Sequence, residues 1–397
     1  MSQIPPDVIV IGAGVTGCSI AFHLAALGRV RVHVVERLTI GAGTSAQSSG
    51  ILRTHYSVPQ NVELARRSFA AFERFSEYVA DAEADAGLVR CGYLIAAPEG
   101  PRLAALQAAL AQQQAMGIPL RLLDAHEAAE RLPIARFDDA ALIGFEPEAG
   151  FADAYLVATG FARAARRLGA RFLEGVAVQG LLREGGRITG VQTDQGPMHA
   201  GLVISAQNIW TSELQAWSGI EMPLYPERHR VFAFETPAAP YTREMPVYKD
   251  LGSPGMLYCR SYGGRQMLVS EGVAGERLAA PEAEQADIPM DAVIEVGEQV
   301  AERFPAYAEA GLASSWTGVY DVTPDWNPVL GPVPGLEGLL VAFGFSGHGF
   351  KLSPAVGRLV AQLALGQPTE IAVQAYSIER FAQGRLLAGA YGAGAVS

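Results

Sequence analysis

The chain has 397 residues, of which 49% are hydrophobic and 18% are charged, and its formal net charge at pH 7 is −11. This length exceeds what one hydrophobic core usually holds, so two domains are expected, and the apolar share excludes a disordered chain. The acidic balance argues against nucleic acid as a partner, because a polyanion is bound by a basic patch.

The first predicted element is a strand that leads into a glycine-rich turn. Asp7–Ile11 reads DVIVI, and Gly12, Gly14 and Gly17 follow at the G-x-G-x-x-G spacing, with a helix predicted to begin near Val15. The three glycines allow a tight turn, the close approach of a pyrophosphate, and close packing of the helix on the strand. The free N–H groups at the helix start suit phosphates. This pattern predicts a dinucleotide site.

The next predicted strand, RVHVVE, ends in Glu36, whose carboxylate can accept both ribose hydroxyls and would repel a 2′-phosphate. The motif alone does not separate NAD from FAD, but the segment Gly41–Tyr56 does. Its small and hydroxyl residues allow an extended cofactor to lie across the chain, and it carries Arg53 and Tyr56 toward the far end of that cofactor. The sequence therefore predicts FAD.

The run Val8–Leu27 is apolar enough to be compared with a membrane span or a signal peptide. Its glycines, the His23 inside it, its strand-like start and the lack of a basic leader argue against both. Cys18, Cys91 and Cys259 form no metal or redox spacing, so incidental thiols and no metal site are expected. The sequence predicts a soluble, cytoplasmic protein with no transmembrane segment.

Two later stretches, Leu202–Gly219 and Leu339–Gly366, repeat the order of strand, small residues and helix. Runs that are apolar throughout suit strands of a parallel sheet buried on both faces. Gly28 and Gly366 stand where helices are expected to end, and Ser353-Pro354 is predicted as the start of the last long helix.

The segments between these stretches are predicted to form a second layer of structure. A β-meander is expected over Phe172–Met198, with a Gly185-Gly186 turn. The remaining predicted elements are the helices Gln60–Asp81, Pro101–Gly117 and Ile288–Phe304, and the antiparallel strands Tyr225–Glu235, Gly255–Tyr262, Arg265–Glu271 and Ser314–Tyr320.

The last glycine-rich segment follows the predicted strand Leu339–Phe343 and runs from Gly344 to Lys351. Its turn at Gly347, His348 and Gly349 is expected to aim N–H groups and a helix N-terminus at a flavin pyrimidine. Positive potential there would stabilise the negative charge that builds up during hydride transfer.

With these residues the chain resembles the D-amino-acid-oxidase superfamily of flavoproteins. Within it, the chain is similar to the group of sarcosine oxidase, dimethylglycine dehydrogenase and the L-proline dehydrogenase β-subunit. The resemblance covers nearly the whole chain, and it is carried by the N-terminal glycines with Glu36, the stretch 44–56, the meander before VISA, Tyr320–Pro332 and, most specifically, Val341–Gly357.

The resemblance implies an α/β fold in which a Rossmann-type FAD-binding domain carries an α+β substrate domain with an antiparallel sheet. The predicted FAD-binding domain is discontinuous and comprises residues 1–82, 150–220 and 322–397. The predicted substrate domain comprises residues 83–149 and 221–321.

The resemblance also implies roles for individual residues. Arg53 matches the arginine that pairs with the substrate carboxylate in sarcosine oxidases, and Lys351 matches the lysine that completes this clamp. A planar fork plus a point charge can fix a carboxylate and orient the carbon to be oxidised. The predicted catalytic residues are Arg53, Lys351, His348, Tyr56 and Tyr258, and the pocket candidates beside them are His229, Arg230 and Glu271. The predicted cofactor site consists of Gly12, Gly14, Val15, Gly17, Glu36, Arg37, Thr44, Ser45, Ser49, Gly50, Val176, Trp210, Gly344, Gly347, His348, Gly349, Phe350 and Lys351.

At three positions this sequence differs from the group, and these differences specify how FAD is attached and how readily oxygen reacts. Gly318 and Gln47 stand where relatives place a flavin-linking cysteine and a flavin-linking histidine, so non-covalent FAD is predicted. The lysine that promotes reaction with oxygen in monomeric sarcosine oxidases is replaced near Leu268, which favours a dehydrogenase over a fast oxidase.

The predicted function is oxidation of the C–N bond of a secondary, N-methylated or cyclic amino acid by hydride transfer to flavin N5, after which the imine is hydrolysed. The electron acceptor would be oxygen or another protein. Two alternatives stay open: the flavin-bearing β-subunit of a multi-subunit amino-acid dehydrogenase, and a non-catalytic flavoprotein that acts as an assembly or binding factor.

Overall fold

A computed structural model describes residues 7–281 and 286–389, so the two outer ends of the predicted FAD-binding domain lie outside the described residues. The strands are β1 (Val8–Ile11), β2 (Val32–Glu36), β3 (Ile51–Leu52), β4 (Tyr93–Ala97), β5 (Arg121–Leu123), β6 (Leu142–Glu146), β7 (Gly150–Phe151), β8 (Arg171–Glu174), β9 (Val178–Glu184), β10 (Arg187–Thr193), β11 (Gly196–His199), β12 (Leu202–Ser205), β13 (Tyr225–Glu235), β14 (Val247–Asp250), β15 (Tyr258–Ser261), β16 (Gln266–Ser270), β17 (Glu276–Arg277), β18 (Gly311–Val322), β19 (Val329–Pro332) and β20 (Leu339–Phe343). The helices are α1 (Val15–Gly28), α2 (Pro59–Glu73), α3 (Phe75–Tyr78), α4 (Pro101–Ala115), α5 (Ala125–Arg131), α6 (Ala154–Arg167), α7 (Thr211–Ser218), α8 (Met290–Arg303), α9 (Gly349–Ala364) and α10 (Glu379–Ala382).

A six-stranded sheet in the order β19-β20-β12-β1-β2-β8 forms the centre of the nucleotide-binding part. Its strands run parallel except β19, which is antiparallel to β20. The central strands are apolar throughout because helices α1, α6 and α9 cover one face, while the meander β9–β11 and helix α7 pack on the other. The predicted Rossmann-type arrangement is confirmed, and the predicted meander is present as β9, β10 and β11, whereas residues 172–174, which the prediction placed in the meander, belong to β8 of the parallel sheet.

A larger sheet has the order β17-β13-β16-β15-β14-β4-β6-β5, and the long strand β18 also pairs with β13. The sheet is antiparallel, as predicted, except that β14 and β4 run parallel. The exception arises because these two strands come from separate insertions, so no hairpin sets their relative direction. Helix α8 covers one face of the sheet, and the opposite face carries Tyr93 and Tyr258 toward the nucleotide-binding part. The division of the chain into two domains stays a prediction.

The start of α9 differs from the prediction. The helix begins at Gly349 with His348 as its N-cap, so Pro354 lies inside the helix rather than at its first position. Proline cannot donate to the carbonyl of Phe350 four residues earlier. The hydroxyl of Ser353 donates to that carbonyl instead, at 2.8 Å, and this local replacement allows the helix to start five residues earlier than predicted.

Two other helix boundaries also differ from the prediction. Gly28 is the last residue of α1, and Arg29 adopts the left-handed conformation with a φ of 52°. Gly28 packs closely on α9, because a Cβ there would lie 2.4 Å from Leu365 Cδ2 unless that side chain moved. The predicted single helix over 60–81 is interrupted at Arg74 and forms α2 and α3. Gly366 follows the end of α9 with a φ of 64°, as predicted.

His23 in α1 predicts a pH dependence of stability. Its ring is buried, donates from Nδ1 to the Ser19 carbonyl at 2.7 Å and lies 2.7 Å from the Tyr78 hydroxyl through Nε2. Burial lowers its pKa to about 4 from an ordinary value of 6.5. A folded-state pKa below the unfolded value means that stability is complete above pH 6.5 and is lost as the pH falls toward 4.

We therefore expect the thermal midpoint of the wild type to fall between pH 6.5 and pH 4, and His23→Gln, which keeps hydrogen-bonding groups but does not titrate, to flatten part of that fall. Part of it remains because burial also lowers the pKa of His55 to about 3. Thermal unfolding monitored by circular dichroism measures both proteins, and superimposable pH curves would contradict the assignment.

Candidate functional site

A long cleft lies where the carboxyl ends of β1, β2, β12 and β20 meet, which is the usual ligand edge of a parallel α/β sheet. Of the residues predicted from sequence, the cleft is lined by Gly12, Gly14, Val15, Glu36, Arg37, Thr44, Ser45, Ser49, Val176, Trp210, Tyr258, Gly347, Gly349 and Phe350. The other predicted residues, Gly17, Gly50, Gly344, Arg53, Tyr56, His348 and Lys351, do not line it.

The turn after β1 has the geometry that a pyrophosphate requires. Gly12 has a φ of 98°, and a Cβ on Gly17 would lie 1.9 Å from the Gly12 carbonyl oxygen, so both positions exclude a side chain. A Cβ on Gly14 would meet only Ser45 Oγ within 4 Å, which leaves the backbone open toward the cleft. Gly17 thus shapes the turn from behind while Gly14 faces the ligand side.

Glu36 stands at the end of β2 with both carboxylate oxygens held by backbone donors. Oε2 accepts from the Ala13 N–H and Oε1 from the Leu38 N–H, each at 2.8 Å. A carboxylate oxygen has two acceptor sites, so each can still accept a ligand hydroxyl. Next to it the Arg37 guanidinium lies 4.1 Å from the centre of the Trp210 ring, and this pair forms a flat wall of the cleft.

The segment after Gly43 lies across the cleft as a short 3₁₀ turn. Ser45 Oγ accepts from the Val15 N–H at 3.0 Å, and the Thr44 hydroxyl donates to Asn208 at 3.1 Å. The Gln47 side chain accepts from the Val319 N–H at 3.1 Å. Gly50 does not line the cleft, and a Cβ there would lie 2.2 Å from the Ala152 carbonyl oxygen. That glycine allows a close backbone crossing.

The C-terminal glycine-rich loop is held by Asp321, which the sequence analysis did not select. Its Oδ2 accepts from the Gly344 N–H at 2.5 Å, and burial raises its pKa to about 6. A Cβ on Gly344 would lie 2.2 Å from Thr323 Cγ2, so Thr323 leaves no room for a side chain there. Gly347 lies against the Tyr320 ring. The loop therefore presents the start of α9 to the cleft in a fixed conformation.

Behind this loop Arg53, Tyr56, His348 and Lys351 come together. The Arg53 guanidinium lies 4.9 Å and the Lys351 ammonium 6.0 Å from the centre of the Tyr56 ring, and the His348 ring packs edge-on against Tyr56 at 5.1 Å. The Tyr56 hydroxyl and both ring nitrogens of His348 are buried without a hydrogen-bond partner in the part of the chain that the structure describes. Buried polar atoms without partners need an explanation, and a polar ligand between these side chains would supply partners for them.

The charges in this group have consequences for protonation. Burial, followed by the charge of Lys351, holds the pKa of His348 well below its ordinary value, so its ring is neutral. Burial and the charge of Arg53 likewise hold the pKa of Lys351 well below its ordinary value. An anion bound here would reverse the effect on the lysine and favour its charged form.

Sequence reasoning missed one further cation of this group, Lys249 in β14. Its ammonium lies 5.2 Å from the centre of the Tyr258 ring, and the charge of Arg53 contributes to lowering its pKa to about 7, after the larger effect of burial. The signal was present in the composition, because Lys249 and Lys351 are the two lysines of the chain and every other basic side chain apart from histidine is arginine.

The last three pocket candidates are His229, Arg230 and Glu271, and they do not lie in one place. His229 lines the cleft and stacks on Tyr320 at 3.9 Å, and the Tyr320 hydroxyl lies 3.2 Å from that of Tyr258. Arg230 and Glu271 form a two-point ion pair with each other at 2.6 and 2.8 Å, so they are engaged structurally.

Comparisons with known proteins agree with this geometry. The family model described as FAD dependent oxidoreductase matches residues 7–363. Sarcosine oxidase subunit beta from Arthrobacter sp is 26% identical over 98% of this chain and 94% of its own length. The 4-methylaminobutanoate oxidase of Paenarthrobacter nicotinovorans is 29% identical over 94% of this chain, which spans only 45% of that relative. The crystal structure of L-proline dehydrogenase from P. horikoshii superposes with a TM-score of 0.87 at 28% identity, covering 96% of this chain and 99% of that one.

Helices within residues 7–281 and 286–389 are all too short or too polar to cross a membrane. The cytoplasmic location inferred from the sequence stays a prediction.

Proposed function

Since the chain belongs to the family of FAD-dependent oxidoreductases, we propose that it oxidises the C–N bond of a secondary, N-methylated or cyclic amino acid. One observation carries this proposal: Arg53 and Lys351 stand beside a dinucleotide cleft, and no ion pair among the described residues involves either of them. Buried cations normally have an acidic partner. A substrate carboxylate would supply it.

The residues present fit FAD. Gly12, Gly14 and the start of α1 would hold the pyrophosphate and Glu36 the ribose, while the loop before α9 would face the flavin. When bound, FAD supplies the hydride acceptor. We propose that it binds non-covalently, because Gln47 and Gly318 offer no nucleophile at the two positions where relatives carry a link. Acid precipitation should release all of the flavin into the supernatant.

The side chains of the group would bind and orient the substrate. Arg53 and Lys351 would hold the carboxylate from two directions, and the unpartnered Tyr56 hydroxyl can donate a further hydrogen bond to it. The same positive charges repel an ammonium and therefore favour the neutral amine, which is the form that can give up a hydride. The neutral His348 ring adds no further charge.

A screen of flavin reduction tests the proposal. Under anaerobic conditions the purified holoenzyme is mixed with N-methyl, cyclic and D-amino acids, and bleaching of the flavin absorbance is recorded. We expect at least one secondary amino acid to bleach the flavin, whereas a flavin that no member of the panel bleaches would favour a non-catalytic binding protein. Admitting air afterwards measures reoxidation, which we expect to be slow because position 268 carries leucine.

A second candidate is supported by the similarity to sarcosine oxidase subunit beta over 94% of that subunit. In this alternative the chain is the flavin-bearing subunit of a larger dehydrogenase and passes electrons to a partner chain. Native purification distinguishes the two: a second polypeptide that co-elutes with the flavin absorbance supports the subunit, and a catalytically complete single chain supports the first proposal.

A further inference from the structure

Lysine is used at two positions in this chain, and both lie beside Arg53. The other 28 Lys or Arg residues are arginine, so lysine at positions 249 and 351 is not a consequence of composition. The ammonium group of lysine is a compact point charge, whereas arginine presents a planar fork. Both lysines therefore place a compact point charge beside Arg53, whereas the other 28 positions carry the planar fork of arginine.

Lys249 is held at the face of the larger sheet that points toward the nucleotide-binding part. In the sheet it is directly opposite Tyr258, a cleft-lining residue. Its Nζ donates to the Met256 carbonyl at 2.7 Å, and a Cβ on Gly272 would lie 1.9 Å from this Nζ. The ammonium is thus positioned from two sides by backbone, while one of its three donors is used.

The charge around Lys249 is not balanced. Together with Arg53 and Lys351 it makes three neighbouring cations, and none of them is within ion-pair distance of an acid in the described part of the chain. Glu146 in β6 interacts electrostatically with Arg53, but its Oε1 accepts from the N–H and hydroxyl of Thr54, and burial, the largest effect, raises its pKa. One bound carboxylate would leave one cation of the three without a partner.

We propose that Lys249 binds a second carboxylate of the substrate, so that the preferred substrate is a secondary amino acid with two carboxylates. This inference rests on the proposed function and specifies its substrate class. Arg53 and Lys351 take the carboxylate next to the oxidised carbon, and Lys249 takes the one at the other end of the molecule. Each of the three basic side chains then has an acidic partner.

Equilibrium binding of two unreactive probes tests the assignment. Glutarate and pentanoate have the same chain length but differ by one carboxylate, and their binding to the holoenzyme is followed by the change in flavin absorbance. We expect glutarate to bind at least about tenfold more tightly than pentanoate, since one partly buried charge pair is sufficient for such a factor. In Lys249→Met this preference should disappear, and in Lys249→Arg it should return in part. In Lys351→Met, the matched control, both probes should weaken while the preference persists.

The outcomes separate the inference from the proposed function. A wild type without preference for glutarate, or Lys249→Met with an intact preference, would overturn the role of Lys249. If Lys249 acted only through its hydrogen bond to the Met256 carbonyl, Lys249→Met would weaken the binding of both probes equally. That result would also overturn the role of Lys249 in binding a carboxylate. In the reaction itself, bleaching by N-methyl-L-alanine as fast as by N-methyl-L-aspartate would contradict the inference and leave the proposed function intact. If no member of the wider panel bleaches the flavin, the proposed function is contradicted, while the two probes still decide on Lys249.

Discussion

Replacing Arg53 by methionine is expected to lower kcat/KM for carboxylate-bearing amines by about 100- to 1000-fold. Removing one partner of a buried charge pair costs about 2–5 kcal/mol, and each 1.4 kcal/mol is a factor of ten. Methionine fills similar space, so the loss reports the missing charge and fork rather than a cavity. The rate of anaerobic flavin reduction as a function of substrate concentration measures the effect.

Arg265→Met is a matched control for this substitution. Arg53 donates to the backbone carbonyl of His55, and Arg265 likewise donates to a backbone carbonyl, that of Thr236 at 2.8 Å, but Arg265 lies in the turn between β15 and β16. We expect its removal to leave flavin reduction nearly unchanged. Arg53→Lys should retain part of the activity because it keeps the charge and loses the two-point geometry. Full activity of Arg53→Met on carboxylate substrates would contradict the clamp.

The largest expected effect on stability is at Arg380. Its guanidinium bonds both oxygens of Asp325 at 2.7 and 2.9 Å and the Asn327 carbonyl at 2.7 Å, and the side chains of Arg380 and Asp325 are 2% and 0% exposed. This pair fixes the turn between β18 and β19, next to the loop that Asp321 holds. Arg380→Met should therefore lower the free energy of unfolding by about 3–5 kcal/mol, because Asp325 would be left buried and charged.

The double variant Arg380→Met/Asp325→Asn distinguishes the charge from the packing. It removes the uncompensated carboxylate, so it should recover part of the stability that Arg380→Met loses. Arg136→Met breaks the exposed pair with Asp138 and should change the denaturation midpoint little. Urea denaturation of the holoproteins measures the free energy of unfolding of these three variants. If Arg380→Met were as stable as the wild type, the pair would not hold this turn.

Local sequence patterns were sufficient for the nucleotide half of the molecule. The turn at Gly12, Gly14 and Gly17 and the acid at Glu36 depend on residues close together in the chain, so their spacing predicts their geometry. The buried apolar strands likewise predict a parallel sheet. The start of α9 could not be derived this way, because it depends on one hydroxyl, that of Ser353, replacing the donor that Pro354 lacks.

The substrate side depends on contacts between distant segments, which spacing does not specify. Lys249 reaches Tyr258 only because β14 pairs with β15 and, in parallel, with β4. Asp321, at the end of β18, holds the Gly344 loop through a contact that belongs to no spacing motif. Arg53 and Lys351 were selected through the family resemblance, and their shared position around Tyr56 required the three-dimensional structure.

The most direct test of carboxylate-guided amine oxidation is the anaerobic rate of flavin bleaching by an amino acid and by its methyl ester. Sarcosine, L-proline and N-methyl-L-aspartate are compared with their esters on the wild-type holoenzyme. We expect at least one acid to bleach the flavin, and its ester to react at least about 100-fold more slowly, because the ester offers Arg53 and Lys351 no charge. Equal rates for acid and ester, or no bleaching by any of the acids, would contradict the function proposed for this chain.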